Sequence, residues 1–323
     1  MSIRVFDADA VRSALPMARC IDLMDQVQRS ISRGEITLPL RSHVPLNEGN
    51  GLLLMPGWLP APAVFGAKLL SLFPNNPSRR QKPVIQGYVL LFDGSDGAPL
   101  ALLEASSLTA LRTAAASGAA TRALANPDAA VLALLGYGVQ AGSHLAAMRA
   151  VRPVREVRVW GPDIARATVF AAEHVADGLT VTAVSSVEQA VRGADLLCAV
   201  SAARTPILRG EWLTAGCHVN LVGAHTAATR EADGNTLARA RVFTEITEFA
   251  LAEAGDILLA MEEGAISRDH IAGEIGAALD GTITGREDRD QITLYKSLGN
   301  TAQDLAAAHH VLERARSMGD HVV

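Results

Sequence analysis

The sequence predicts an α/β protein in two parts: a doubly wound parallel sheet wrapped by helices, and an α+β domain built round a mostly antiparallel sheet. Two observations carry this reading. From Ala130 onward, near-continuous apolar runs ("AAVLALLG", "REVRVWG", "TVTAVSS", "ADLLCAVS", "HVNLVGA", "ARVFTEI") alternate with helix-length segments, the pattern of strands buried on both faces. Before that point the strand-like runs are bounded by turn residues, as in the hairpin "PVIQGYVLLFDGSDGAPLALLEA", whose turn falls at 93–97. At 323 residues, with 49% hydrophobic and 20% charged side chains, the chain can bury two cores and is not disordered.

In chain order, Asp7 to Arg33 carries apolar residues at helical spacing (Val11, Leu15, Ala18, Ile21, Met24, Val27, Ile31) with Gly34 as a stop, which predicts one amphipathic helix. The runs 36–46 and 49–60 read as strands, and Ser107 to Leu124 as an alanine-rich connecting helix. The doubly wound domain is placed at 119–292. The first domain, 1–118, regains the tail 293–323, which is read from Ile292 as a helix packing back on it.

A net charge of −5 offers no basic surface for nucleic acid. The N-terminus has no basic-then-apolar leader, and no apolar run approaches the ~18 residues a membrane span requires. Cys20, Cys198 and Cys217 lie far apart without metal-ligand spacing, and the adjacent His309 and His310 point in different directions, so no metal site is expected. A reducing, cytoplasmic setting follows from the cysteine usage. "SRRQK" (78–82) and "GREDRDQ" (285–291) read as solvated charged loops, and Cys198 and Cys217 as packing residues.

Gly136-x-Gly138-x-x-Ala141 follows a strand and opens a helix. Gly136 permits a tight turn, Gly138 a close approach of pyrophosphate to the backbone, and Ala141 tight packing of helix on strand. The N–H groups around Val139 and Gln140 face the phosphates. In this context the pattern reads as the turn of a Rossmann dinucleotide site, its alternative being an ordinary strand-to-helix turn. Thr113, Ser201 and Val222 join the expected cofactor contacts. An NAD site usually ends its second strand with an acid on the ribose hydroxyls, but here Gly161 takes that place. Asp163 follows two residues on, within reach of a ribose, and Arg166 is placed near a 2′-phosphate, its alternative being a solvated helix residue. The balance favours NADP(H).

Arg112 lies among Leu108, Leu111, Ala114 and Ala115, where a charge needs a partner or a ligand. A guanidinium binds a carboxylate through two parallel hydrogen bonds, and the alternative is a structural ion pair. Lys68, set between Ala67 and Leu69, either adds charge beside a substrate or snorkels at the surface.

The ordered series "LPLR" (38–41), "MPGW" (55–58), "AK" (67–68), "LTALRTAAASGAAT" (108–121), "GYGVQA" (136–141), "HVNLVGA" (218–224), "GDILLAMEEG" (255–264) and "TLYKSLGNTAQD" (293–304) resembles the ornithine cyclodeaminase/mu-crystallin family. The resemblance implies a homodimer formed through the first domain's sheet, and an active site between that domain and the cofactor domain. It places Arg41, Lys68 and Arg112 round the substrate and brings Lys296, Ser297 and Gly299 towards the cofactor. Cyclodeaminases of the family carry an acid two residues before the methionine of "MP" and an aspartate after the "VG" strand. This chain has Leu53 and His225 there.

Without those carboxylates, cyclisation with ammonia loss is disfavoured. The implied reaction is hydride reduction of a cyclic ketimine, 1-pyrroline-2-carboxylate or its six-membered homologue, to proline or pipecolate. His225 is a candidate proton donor, its alternative being an ordinary loop histidine. Two other readings stay open: a dehydrogenase or His225-dependent cyclodeaminase on the same fold, and a non-catalytic ligand-binding protein of the mu-crystallin kind.

Overall fold

The computed structural model describes residues 3–36 and 38–319. Two compact units result, Met1–Arg112 with Gly299–Val323, and Thr113–Leu298.

The first unit is a six-stranded sheet of β1 (Arg4–Phe6), β2 (Ser42–Pro45), β3 (Gly51–Pro60), β4 (Ala63–Leu72), β5 (Ile85–Asp93) and β6 (Pro99–Glu104), in the order β1-β6-β5-β4-β3-β2. β1 runs parallel to β6, and the other pairs are antiparallel. Along β3 and β4 alternate residues face opposite ways. Met55, Leu59, Val64, Lys68 and Leu70 are buried, and the C-terminal helix Thr301–Ser317 packs on β3, β4 and β5 and on the helix Met17–Ser32. That helix buries Leu305, Val311 and Leu312 completely, each worth about 1.5–3 kcal/mol.

The predicted single helix 7–33 is two, Ala8–Ala14 and Met17–Ser32. Pro16 has no N–H to continue the first and serves as N-cap of the second. Of the predicted strand 36–46 only Ser42–Pro45 pairs, and Thr37 lies outside the described residues.

The second unit is an eight-stranded parallel sheet: β7 (Val131–Leu135), β8 (Glu156–Trp160), β9 (Thr180–Ala183), β10 (Leu196–Ala199), β11 (His218–Leu221), β12 (Ala240–Thr244), β13 (Ile271–Glu274) and β14 (Ile292–Lys296). Its order is β13-β12-β14-β11-β10-β7-β8-β9. The winding reverses between β7 and β10, so a crevice opens at their carboxyl ends, where doubly wound folds bind ligands. This is a Rossmann-type sheet, as predicted.

The tail from Ile292 is a correction. "ITLYK" is a strand in the middle of this sheet, paired to β11 and β12, and the helix begins only at Thr301, capped by Asn300. "GREDRDQ" is also more than a solvated loop. Arg286, half-buried, donates to the carbonyls of Leu124 and Gly216 and to Thr293 Oγ1. No helix among the described residues is long and apolar enough to cross a membrane.

Candidate active site

In the first unit, β4 supplies Lys68, the connecting helix Ala105–Leu124 supplies Arg112, and the segment before β2 supplies Arg41. Alternation along β4 turns Lys68 inward with Val64 and Leu70, so its ammonium is buried. Both buried cations meet one carboxylate. Asp304 Oδ2 lies 2.7 Å from Lys68 Nζ, and Asp304 Oδ1 accepts from Arg112 Nε at 2.9 Å. Arg112 Nη1 also donates to Gln303 Oε1 at 3.0 Å. Gly299 comes to Arg112: at φ +74°, a Cβ there would stand 2.3 Å from Arg112 Nη1. Arg41 Nη2 donates to Gly299 O at 3.4 Å.

Burial, reinforced by the Arg112 charge and partly offset by Asp304, pushes the Lys68 ammonium down to about 8. One buried carboxylate thus serves two buried cations, and Arg112 Nη2 makes no hydrogen bond among the described residues. Such an excess of buried positive charge suits an anion. Sequence reasoning missed Asp304, although an acid inside the apolar "AQDLAAA" was a signal.

In the second unit, Gly136 sits at φ +133°, where a Cβ would come 2.8 Å from Val200 O; only glycine fits. Gly138 is the N-cap of the helix Val139–Val151, has no side-chain cap and would meet no protein atom within 4 Å of an added Cβ. Gln140 Oε1 is buried without a protein partner, and Thr113 is buried. Uncapped N–H groups and open space at Gly138 fit a dinucleotide's pyrophosphate.

Gly161 faces Tyr137, whose ring would lie 2.1 Å from a Cβ there. Arg166 stacks over the same ring, 4.8 Å from its centre. Asp163 caps its own helix, accepting from Ala165 N and Arg166 N.

Val222 and Ser201 follow the carboxyl ends of β11 and β10. His225 is exposed, and its Nδ1 donates to Gly223 O at 3.1 Å. Two expected cofactor contacts turn inward instead. Lys296 Nζ is buried on Asp256 Oδ2 (2.8 Å) and Ala224 O (2.6 Å), and Ser297 Oγ donates to Glu245. Lys296 ends a strand inside the sheet and Ser297 follows it, and both side chains are buried.

A doubly wound α/β unit with a dinucleotide-type turn and, in the other unit, a buried cationic cluster suited to an anion define the class of protein. The chain belongs to the ornithine cyclodeaminase/mu-crystallin family, whose model matches residues 3–319. It is 33% identical to the Delta(1)-pyrroline-2-carboxylate reductase of Colwellia psychrerythraea, over 97% of this chain and 99% of the relative. Among solved structures, the Delta(1)-pyrroline-2-carboxylate reductase of Thermococcus litoralis, in complex with NADH and L-proline, matches with a TM-score of 0.94 and 32% identity over 98% of each chain. An archaeal alanine dehydrogenase dimer with bound NAD matches at 0.93 and 28% identity, over 99% of this chain and 98% of that one.

Proposed function

We propose that the protein is an NAD(P)H-dependent ketimine reductase that converts 1-pyrroline-2-carboxylate, or its six-membered homologue, to L-proline or L-pipecolate. The carrying observation is the pair of buried cations sharing Asp304, which leaves positive charge for a substrate carboxylate. Arg112 and Arg41 bind that carboxylate, Arg112 through the edge that Asp304 and Gln303 leave open. A reduced nicotinamide, when bound, supplies the hydride that forms the new C–H bond at C2.

As the C=N π pair moves onto nitrogen, a proton must arrive there. Lys68, whose ammonium gives up its proton near pH 8, holds it, with His225 as the competing donor. Leu53 and His225, in place of the cyclodeaminase carboxylates, support reduction over ammonia loss.

Tyr137 and Arg166 occupy the end of β8, where an acid would meet the ribose hydroxyls, and Asp163 Oδ1 is engaged in capping its own helix. This supports NADPH over NADH, with Arg166 on the 2′-phosphate. Three free, buried cysteines support a cytoplasmic setting.

The outer face of the first unit's sheet supports a homodimer. Leu52 and Trp58 on β3, Phe65 and Leu69 on β4 and Tyr88 on β5 are all exposed there, with Phe65 stacked on Phe92 at 5.0 Å. A continuous apolar sheet face of this kind is covered in solution, and a second copy presents the same surface.

The test is loss of reduced-nicotinamide absorbance with each cyclic imine, NADPH and NADH in parallel. Rapid oxidation, faster with NADPH, is expected. Silence with both imines, with ammonia released from ornithine or alanine in the presence of NAD⁺, overturns the reading.

A further inference from the structure

We infer that Glu231, Asp256 and Lys296 form a buried frame whose task is to position the two loops beside the cofactor, with Glu231 as the positioning residue that joins them. The inference rests on the reading above that this crevice takes a nicotinamide cofactor.

Glu231 is fully buried. Its Oε1 accepts from Ser201 N and Ser201 Oγ, each at 2.7 Å, and its Oε2 accepts from Gly223 N at 2.6 Å. Ser201 and Gly223 each lie two residues past a strand, β10 and β11, so one carboxylate ties the carboxyl ends of two neighbouring parallel strands. The tie is close: a Cβ on Gly223 would stand 2.1 Å from Ser201 O and 2.6 Å from Glu231 Oε1.

Glu231 is itself held. Asp256 Oδ1 accepts from Glu231 N at 2.8 Å and from Ala232 N at 3.1 Å, while Asp256 Oδ2 pairs with Lys296 Nζ at 2.8 Å. Lys296 returns to the loop by donating to Ala224 O, beside His225. On the far side, a Cβ on Gly255 would come 2.1 Å from Thr229 O, 2.6 Å from Thr226 O and 2.9 Å from Ala227 O. The "GDILLAMEEG" and "YKSLG" motifs therefore meet beneath a single loop.

This arrangement is expensive for a fold. Two carboxylates and one ammonium are buried together, and burial and the Asp256 charge push the Glu231 carboxyl upward against the donors that favour its ionised form. An apolar plug would close the same strand ends at less cost. What charged groups add is a fixed geometry for two backbone segments at the switch point of the sheet, the preorganisation a cofactor site needs.

The test measures binding of NADPH and NADH directly, without substrate, to the wild type, Glu231→Gln and Glu231→Asp, beside thermal unfolding and steady-state kinetics. Glutamine keeps an acceptor for Ser201 but sets an amide donor against Gly223 N–H. Cofactor affinity is expected to fall about tenfold or more, with a parallel rise in cofactor KM, while the imine KM stays within roughly twofold. Aspartate keeps the charge with a shorter reach and should recover part of the loss. If Glu231→Gln does not fold, Glu231→Asp carries the test through its cofactor affinity, expected about threefold or more below wild type. Wild-type cofactor affinity in a folded variant, or equal changes in both KM values, overturns the inference. A wild-type protein that binds neither cofactor overturns the underlying reading instead.

Discussion

Asp304 sets what Lys68 and Arg112 can do. It raises the Lys68 proton affinity that burial and Arg112 lower, leaving the ammonium near 8. If Lys68 holds the transferred proton, kcat falls as pH rises through about 8. Asp304→Asn removes the group that favours the charged form, so this alkaline limb moves to lower pH, which a pH–rate profile reads. Arg112→Ala should cost roughly 2–3 kcal/mol in transition-state binding, about 30- to 150-fold in kcat/KM for the imine. An unchanged kcat/KM would remove Arg112 from the carboxylate. Arg112 stood out in the sequence because a guanidinium in an apolar helix needs an explanation. Asp304 carries the same signal, an acid in an apolar helix, but which cations it meets is not legible, because its two partners lie 192 and 236 residues away in the chain.

At the scale of elements, the turn after β7 separates folding from binding within three residues. Gly136→Ala forces a Cβ into Val200 O at φ +133° and should cost about 1–3 kcal/mol of stability. Gly138→Ala meets no protein atom, so its stability should stay within about 0.5 kcal/mol of wild type while cofactor affinity drops. Denaturant melts and cofactor titrations on the two variants check this pair, and equal effects would argue against a ligand at Gly138. The turn was legible because strand, glycines and helix are consecutive. The break at Pro16 is legible too, since proline cannot continue a helix, even though the apolar periodicity runs across it. β14 was missed because five residues have no period long enough to tell a strand from the start of the next helix.

For the whole molecule, the apolar outer face predicts that Trp58→Arg with Leu69→Arg yields monomers by light scattering, where wild type gives dimers. A wild-type monomer would refute the interface. Two buried histidines in the second unit make the fold sensitive to acid. His144, bonded to Ser117 Oγ and Gln140 O, is held down to about 4, and His218 to about 3, both by burial above all. Their folded affinities lie below the unfolded 6.5, so their contribution is fully present above pH 6.5. It is lost as pH falls towards 4 and 3, together on the order of a few kcal/mol. Urea midpoints at pH 7 and pH 4.5 measure the loss, and His144→Gln should flatten it.

The parallel sheet, the dinucleotide turn and the isolated guanidinium can be read along the chain, because each is written in consecutive residues or one period. Which charges meet is settled by the fold. Lys68, Arg112 and Asp304 come from a strand and two helices, and Lys296 turns away from the crevice to Asp256 beneath the Glu231 tie. Burial makes these charges costly, so each must find a partner, and the chain's path through space chooses which.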